Sequence, residues 1–240
     1  MTVRIIDDGD AASRDAIGRQ LAIDESMLSL PNDTFRFWRL PGPAVVLGRS
    51  SRVADEVDAN VAARHRVDVV RRCTGGASVF IDGGCAMYSV ALRLDCHGEL
   101  TRIDAAHDYV ISRIAAAVAK QRRDVVRDGI CDLTIGGRKF SGNALRVTRE
   151  AVLYHGTFLI ETDLELLSSV LAHAPRQPDY RDGRDHGAFV TNVRLDADEL
   201  ASDLADAFGV DDQINASQFE DLITTHRTRR YDDPAWHRRH

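Results

Sequence analysis

Three short apolar runs broken by glycine turns, Val67–Arg72, Ser78–Asp82 and Ala86–Leu94, constrain this chain more than any other feature. They are too short and too rich in β-branched and aromatic residues for helices, and the glycines between them favour strands joined by tight connections. A further hairpin is predicted where Asp132–Ile135 meets Gly136-Gly137, a two-residue turn, and the chain returns as a strand from Arg138. Val152–Ile160, Thr34–Leu40 and Ala44–Gly48 also read as strands. Helical spacing marks Ala12–Ser29, with Ile17, Leu21 and Leu28 on one face, and Asp55–His65. The strongest helix is Arg102–Gln121, where Ile103, Ala106, Val110, Ile114, Ala117 and Val118 keep that spacing and Thr101 with Asp104 suits the start. Asp163–Ala172, Asp196–Phe208 (opened by Asp196 and Glu199) and Ala216–Arg227 close the chain. Hairpins with helices before, between and after them predict an α+β domain rather than a doubly wound one.

At 240 residues, 44% hydrophobic and 28% charged, the chain holds one large domain or two small ones. A net charge of −6 argues against nucleic acid as a partner. The longest apolar stretches, around Pro43–Gly48 and Ile114–Ala119, fall far short of the roughly 20 residues of a membrane span. The opening MTVRIIDDGD carries acids where a signal peptide carries bases. Cys73, Cys85, Cys96 and Cys131 form no C-x-x-C pair, which fits reduced thiols in a cytoplasm. His97, His107, His173 and His186 show no metal-ligand spacing, so no metal site is expected from the sequence.

The basic residues are lopsided: 29 arginines against two lysines, Lys120 and Lys139. Genomic base composition explains the bias, but it raises for each surviving lysine the question whether a planar guanidinium would serve there. Lys120 ends a helix and reads as solvated. Lys139 stands just past the hairpin turn in Gly137-Arg138-Lys139-Phe140-Ser141-Gly142-Asn143-Ala144, where a compact ammonium can sit beside a carboxylate or a developing oxyanion. A second constellation, Arg71-Arg72-Cys73-Thr74-Gly75-Gly76-Ala77-Ser78, delivers two arginines into a glycine turn; it is either a tight hairpin with exposed arginines or a place where backbone approaches an anionic ligand. A third, His155-Gly156-Thr157, interrupts an apolar strand, with glycine allowing close approach.

Taken in chain order, the three segments resemble the lipoate–protein ligase A family of the biotin/lipoate attachment fold. Its Arg-Arg-x-Ser-Gly-Gly-Gly turn, its Asp-Leu-Thr strand leading to Lys-x-Ser-Gly and its His-Gly-Thr strand stand here as Arg71–Ala77, Asp132–Gly142 and His155–Thr157. Weaker echoes are Leu21–Leu28, Val46–Arg49, Tyr88-Ser89 and Thr191-Asn192-Val193. The Gly-Arg-Gly-Arg type loop of the biotin ligases is absent.

The resemblance implies a biotin/lipoate ligase-like catalytic domain over residues 1–225, a mixed, mostly antiparallel sheet flanked by helices, followed by a basic tail, 226–240. It also implies a cytoplasmic enzyme that activates lipoate or octanoate with ATP and Mg²⁺ as an acyl-adenylate. The acyl group then passes to a lysine of a lipoyl-carrier domain, the E2 of a 2-oxoacid dehydrogenase or a glycine-cleavage H protein, with a separate accessory protein as a further expected partner. Lys139 would be catalytic and contact acyl and phosphate groups, with Asp132 beside it on the cofactor side. Arg72, Thr74, Gly75, Gly76, Ala77, Ser141, Gly142, Asn143, His155, Gly156 and Thr157 would bind substrate, and Val79, Val90 and Leu159 would wall the acyl slot.

The pattern departs from the family at several points. Ala77 replaces the third glycine and Thr74 the serine, while Ile81, Cys85 and Cys131 stand where the ligases carry His, Asn and Asn. Such losses favour a sister activity, the octanoyltransferases, which need no cofactor and pass the acyl group from a carrier thioester through a cysteine. Cys131 is then the candidate nucleophile and Cys73 the second. A third reading is a non-catalytic acyl-binding protein. Arg176–His186 reads as a charged surface loop in which Arg176, Arg181, Arg184 or His186 could close over phosphate. The tail Arg227–His240 reads as a solvated end or as a docking strip for an acidic carrier.

Overall fold

The run Ala86–Leu94 is apolar without alternation because its strand is covered on both faces. The structure, a computed structural model, describes residues 2–8, 16–172 and 177–240. In chain order its elements are β1 (Val3–Asp7), α1 (Ala16–Met27), β2 (Asp33–Trp38), β3 (Ala44–Leu47), α2 (Val53–Glu56), α3 (Ala59–Arg64), β4 (Asp68–Arg71), β5 (Val79–Ile81), β6 (Cys85–Arg93) and α4 (Ile103–Gln121). They continue with β7 (Val125–Asp128), β8 (Asp132–Ile135), β9 (Arg138–Val147), β10 (Ala151–Leu159), α5 (Leu164–Val170), α6 (His186–Phe189), α7 (Ala197–Phe208), β11 (Val210–Asn215), α8 (Glu220–His226) and α9 (Pro234–Arg238). Among the described residues, eight strands form one sheet in the order β11-β1-β2-β6-β10-β9-β8-β7, and β4-β3-β5 form a second. Five pairings of the large sheet, from β2–β6 to β8–β7, are antiparallel, and β1 lies parallel to both β2 and β11. The expected α+β class with a mixed, mostly antiparallel sheet is the one observed.

Each face of β6 belongs to a different core. Cys85, Met87 and Ala91 point towards α1, the small sheet and α5, while Ala86, Tyr88, Val90 and Leu92 point towards α4 and α7. β10 divides in the same way, Leu153 and Leu159 to the first core and Val152, Tyr154 and Phe158 to the second. Burial of each such large apolar side chain contributes about 1.5–3 kcal/mol, so the register of these strands is fixed from two sides. Val90, expected to wall an acyl slot, packs in the second core, on the face of β6 opposite Met87.

Other differences have local causes. The helix predicted over Asp55–His65 is broken at Val57, because Asp58 accepts from the backbone N–H groups of Asn60 and Val61 at 2.9 Å and opens α3 afresh. Thr101 does not cap α4; its hydroxyl donates to the carbonyl of Gly98, while Arg102 pairs with Asp104. Asp196 does cap α7, accepting from the amides of Asp198 and Glu199. The part of the first predicted helix over 12–15, and His173 and Arg176, lie outside the described residues. Residues 226–240, expected to be solvated, fold back on the domain: Tyr231 is buried and the Trp236 indole N–H donates to the carbonyl of Arg71 at 2.9 Å. Among the described residues, no helix is long and apolar enough to cross a membrane.

Candidate functional site

The three sequence constellations converge where the end of β4 faces the first half of β9 and the middle of β10. Arg72, at the end of β4, is buried among carbonyls. Its guanidinium donates to Val46 O and Ala77 O at 2.9 Å, to Gly75 O, and to Thr74 Oγ1 at 2.9 Å. Burial pushes its pKa down to about 10, which still leaves it charged at neutral pH. Arg72 thus shapes the glycine turn from inside. Gly76 completes the turn with φ +87°, a conformation that an L side chain rarely adopts. On the far side, the Ser78 amide and hydroxyl both donate to Glu56 Oε2, at 2.7 and 2.6 Å.

A chain of hydrogen bonds runs from this turn into the core. Thr74 Oγ1, which accepts from Arg72 Nε–H, is also hydrogen-bonded to His155 Nε2, 2.7 Å away. The other ring nitrogen, Nδ1–H, then donates to Asp24 Oδ2 at 3.1 Å, and Asp24 Oδ1 accepts from Arg36 at 2.8 Å. Burial alone would raise the Asp24 pKa, but the His155 hydrogen bond and the Arg36 charge outweigh it and hold the carboxyl below its ordinary value. Sequence reading missed Asp24 and Arg36 as site residues. Their signal was an acid inside the apolar run Leu21–Leu28, which folding tolerates only with a buried partner.

Lys139 comes from the β8–β9 hairpin. A β-bulge in this pair leaves Phe140 in the core between Lys139, which pairs with Thr134, and Ser141, which pairs with Leu133. The ammonium lies 2.9 Å from Asp132 Oδ1, and the Tyr180 hydroxyl donates to Asp132 Oδ2 at 2.7 Å. The side chain arches over Gly142, where a Cβ would come within 2.7 Å of Lys139 Cε and 2.8 Å of Nζ. Gly156 similarly leaves room for the Asn143 amide, which is held by the Tyr88 hydroxyl and by the carbonyl of Cys131.

Two adjoining chambers, each of about 120 Å³, open on either side of Lys139. The first is lined by Trp38, Val46, Val79, Ile81 and Met87 together with Arg72, Gly76, Asn143, His155 and Gly156. The second is lined by Phe80, Ser141, Leu159, Arg181, His186 and Phe189. Ala77, Ser78, Val79, Lys139, Gly142 and Thr157 border both. In the second chamber Arg181 is buried, its Nε donating to Arg184 O at 2.9 Å and its guanidinium lying 4.8 Å from the Phe189 ring centroid. Arg181 Nη2 and Ser141 Oγ have no hydrogen-bond partner among the described residues.

Comparison with known proteins settles the family. The model of the lipoyl protein ligase A/B catalytic domain matches residues 17–209. The chain belongs to the lipoyl protein ligase A/B catalytic-domain family. Lipoate–protein ligase 2 of Staphylococcus aureus is 26% identical over 190 residues, covering 74% of this chain and 54% of that protein. Subunit 1 of the lipoate–protein ligase A of Thermoplasma acidophilum is 27% identical over 203 residues (79% and 75%), and the octanoyltransferase LipM of Geobacillus kaustophilus is 27% identical over 182 (64% and 65%). The solved structure of a putative lipoate protein ligase from T. acidophilum with bound lipoic acid shares the fold, with a TM-score of 0.79 at 21% identity over 99% of this chain and 100% of that one. This chain spans about half the length of the first curated relatives it matches, 54% and 46% of two Staphylococcus aureus ligases.

Within this lipoyl protein ligase A/B domain, the other expected site residues divide cleanly. Thr74 and Gly75 act from behind the chamber walls, as partners of His155 and Arg72. Asp132 stands behind Lys139. Cys131 is not brought to the chambers: its thiol donates to the carbonyl of Asn143 at 3.4 Å, and burial, followed by the Asp132 charge, pushes its pKa up to about 11. Cys73 and Cys85 are buried with pKa values raised to about 11 and 12, and Cys96 is exposed. Lys120 is the solvated lysine expected, paired with Asp203 at 2.8 Å.

Proposed function

We propose that this chain is the catalytic part of a lipoate– or octanoate–protein ligase that works through an acyl-adenylate. The observation that carries this reading is the place of Lys139, an ammonium at the junction of two chambers of different chemistry. The first chamber, walled by Trp38, Val46, Val79, Ile81 and Met87, suits an aliphatic chain that enters away from water and ends in a carboxylate beside Lys139. The second, with the buried cation Arg181 and the Phe189 and Phe80 rings, suits a nucleotide. A carboxylate oxygen of the acid attacks the α-phosphorus of ATP, a P–O bond forms and pyrophosphate leaves. The amine of the carrier lysine then attacks the acyl carbonyl, loses a proton, and AMP leaves. Both steps develop negative charge at the junction, where a fixed ammonium in a dry site stabilises it most. His155, held by Asp24, would keep Thr74 and the glycine turn closed against the acyl group.

A magnesium ion carried by the triphosphate would find the carboxylate beside Lys139, Asp132, outside the chamber walls and with its two oxygens already held by Lys139 and Tyr180. This fits a hard cation bound mainly through phosphate and water. The carrier lysine would come from a lipoyl domain, and a structural relative, the bipartite lipoate protein ligase of T. acidophilum, was solved in a study of that ligase and its E2 lipoyl domain.

The test has two arms. The protein is incubated with octanoate, ATP, Mg²⁺ and an apo lipoyl domain, and separately with an octanoyl-carrier thioester and the same domain. Mass spectrometry should show acylation in the first arm, retained in Cys131→Ser. Acylation only from the thioester and lost in Cys131→Ser would establish the octanoyltransferase instead. Acylation in neither arm would leave an acyl-binding protein.

A further inference from the structure

Arg71 and Arg72 are consecutive and face opposite ways. Arg72 holds the glycine turn from inside, whereas Arg71 turns away from the chambers, and among the described residues no carboxylate forms an ion pair with it. Its fully buried guanidinium is instead saturated by main-chain carbonyls from two separate segments. Nη1 donates to Gly48 O at 2.8 Å and Ser51 O at 2.6 Å. Nε donates to Trp236 O at 3.1 Å, and Nη2 to His237 O at 3.0 Å and Arg239 O at 2.8 Å. The same C-terminal residues cap the open edge of β4: the Arg71 N–H donates to His237 Nδ1 at 3.0 Å and the Trp236 indole to Arg71 O.

The 48–51 loop therefore lies between Arg71 and the back of the glycine turn, and it touches that turn closely. The Arg49 N–H donates to Thr74 O at 2.7 Å, and the Ser51 hydroxyl lies 3.4 Å from Gly76 O. Gly48 packs so tightly that a Cβ there would fall 1.8 Å from Gly76 O. A second anchor lies nearby: Glu25, next to Asp24 on α1, accepts from the Tyr231 hydroxyl at 2.9 Å, from Arg230 and from Arg146 at 2.8 Å.

We propose that Arg71 is a positioning residue and that the 226–240 segment, gripped by it and by Glu25, braces the glycine turn from behind and so sets the affinity of the acyl chamber. A guanidinium satisfied by carbonyls alone gains from its planar fork rather than from charge pairing, and a lysine cannot reach both segments at once. Loss of the grip frees the 48–51 loop, and with it the carbonyl of Gly76 at the chamber wall.

This inference rests on the acyl-chamber reading above, and the experiment separates the two. Arg71→Lys and His237→Ala are compared with the unmodified protein by calorimetric titration with octanoate and with ATP, and by hydrogen–deuterium exchange at residues 73–77. Octanoate should bind at least fivefold more weakly in the variants, with ATP binding changed less than twofold and exchange at 73–77 accelerated. A variant that merely lost stability would melt earlier while keeping its octanoate affinity and slow exchange, and that result overturns the proposal. If the unmodified protein does not bind octanoate, the acyl-chamber reading fails, and unchanged exchange at 73–77 then removes the brace as well. His237→Ala deletes one acceptor and leaves the Arg71 guanidinium intact, so it gives the same readouts if Arg71→Lys does not fold.

Discussion

The ammonium of Lys139 and the α-carbon of Gly142 occupy adjoining space, so that a single added methyl at Gly142 would displace the charge at the junction of the two chambers. Lys139→Arg and Lys139→Met should each lower ligation by about a hundredfold or more, the usual scale for losing one electrostatic contact to a transition state. Gly142→Ala should lose about tenfold, because the flexible lysine end gives way rather than the backbone. Single-turnover acylation of a lipoyl domain, with melting temperatures measured alongside, checks both. Full activity in Lys139→Arg would remove Lys139 from the mechanism.

Asp24→Asn leaves Arg36 buried without its counter-ion, a change that costs about 3–5 kcal/mol. Denaturant unfolding at neutral pH should show that loss. Because the folded Asp24 pKa lies below its unfolded value of 3.8, the unfolded chain binds more protons as pH falls through that range. The stabilisation is therefore complete above about pH 4 and disappears as pH drops through the lower folded value. Unfolding curves of the two proteins should converge in acid and differ most at neutral pH.

Alkylation should discriminate among the thiols. Burial and the neighbouring Asp132 charge raise the pKa of Cys131 to about 11, and Cys73 and Cys85 are buried, whereas Cys96 is exposed. At pH 7.5, iodoacetamide should modify Cys96 first and leave ligase activity intact. Peptide mass spectrometry reads the order, and early loss of Cys131 together with activity would revive the thioester route.

Arg181→Met keeps an unbranched apolar stem and removes the cation of the second chamber. The KM for ATP should rise about tenfold while the KM for octanoate stays within twofold, since the acyl chamber is lined without it. An equal rise in both would place nucleotide and acyl group in one chamber.

Most of the site was legible in the sequence because glycine and lysine are informative when scarce or oddly placed. The Lys139–Asn143 segment, the Arg71–Ala77 turn and His155–Thr157, singled out separately by their residues, fall together in space. Short-range signals could not show which way a strand faces. Val90 was expected in the acyl slot and faces the opposite core, and the consecutive Arg71 and Arg72 serve different partners. The strands β1, β7 and β11 escaped notice because runs such as VVRD and VDDQIN carry no clear alternation. The brace from 226–240 was invisible for a different reason: a chain end with five arginines looks solvated until a buried arginine some 165 positions earlier claims the carbonyls of Trp236, His237 and Arg239.

The double burial of β6 restricts how this chain can change in length. One residue inserted or deleted between Cys85 and Arg93 would exchange Met87 and Ser89 for Tyr88 and Val90 across the sheet, spoiling the chamber and the opposite core together. Insertions are tolerable where the chain is exposed and touches neither core nor chamber, as at Asp95-Cys96, and loop-grafting there should leave acylation and melting temperature unchanged.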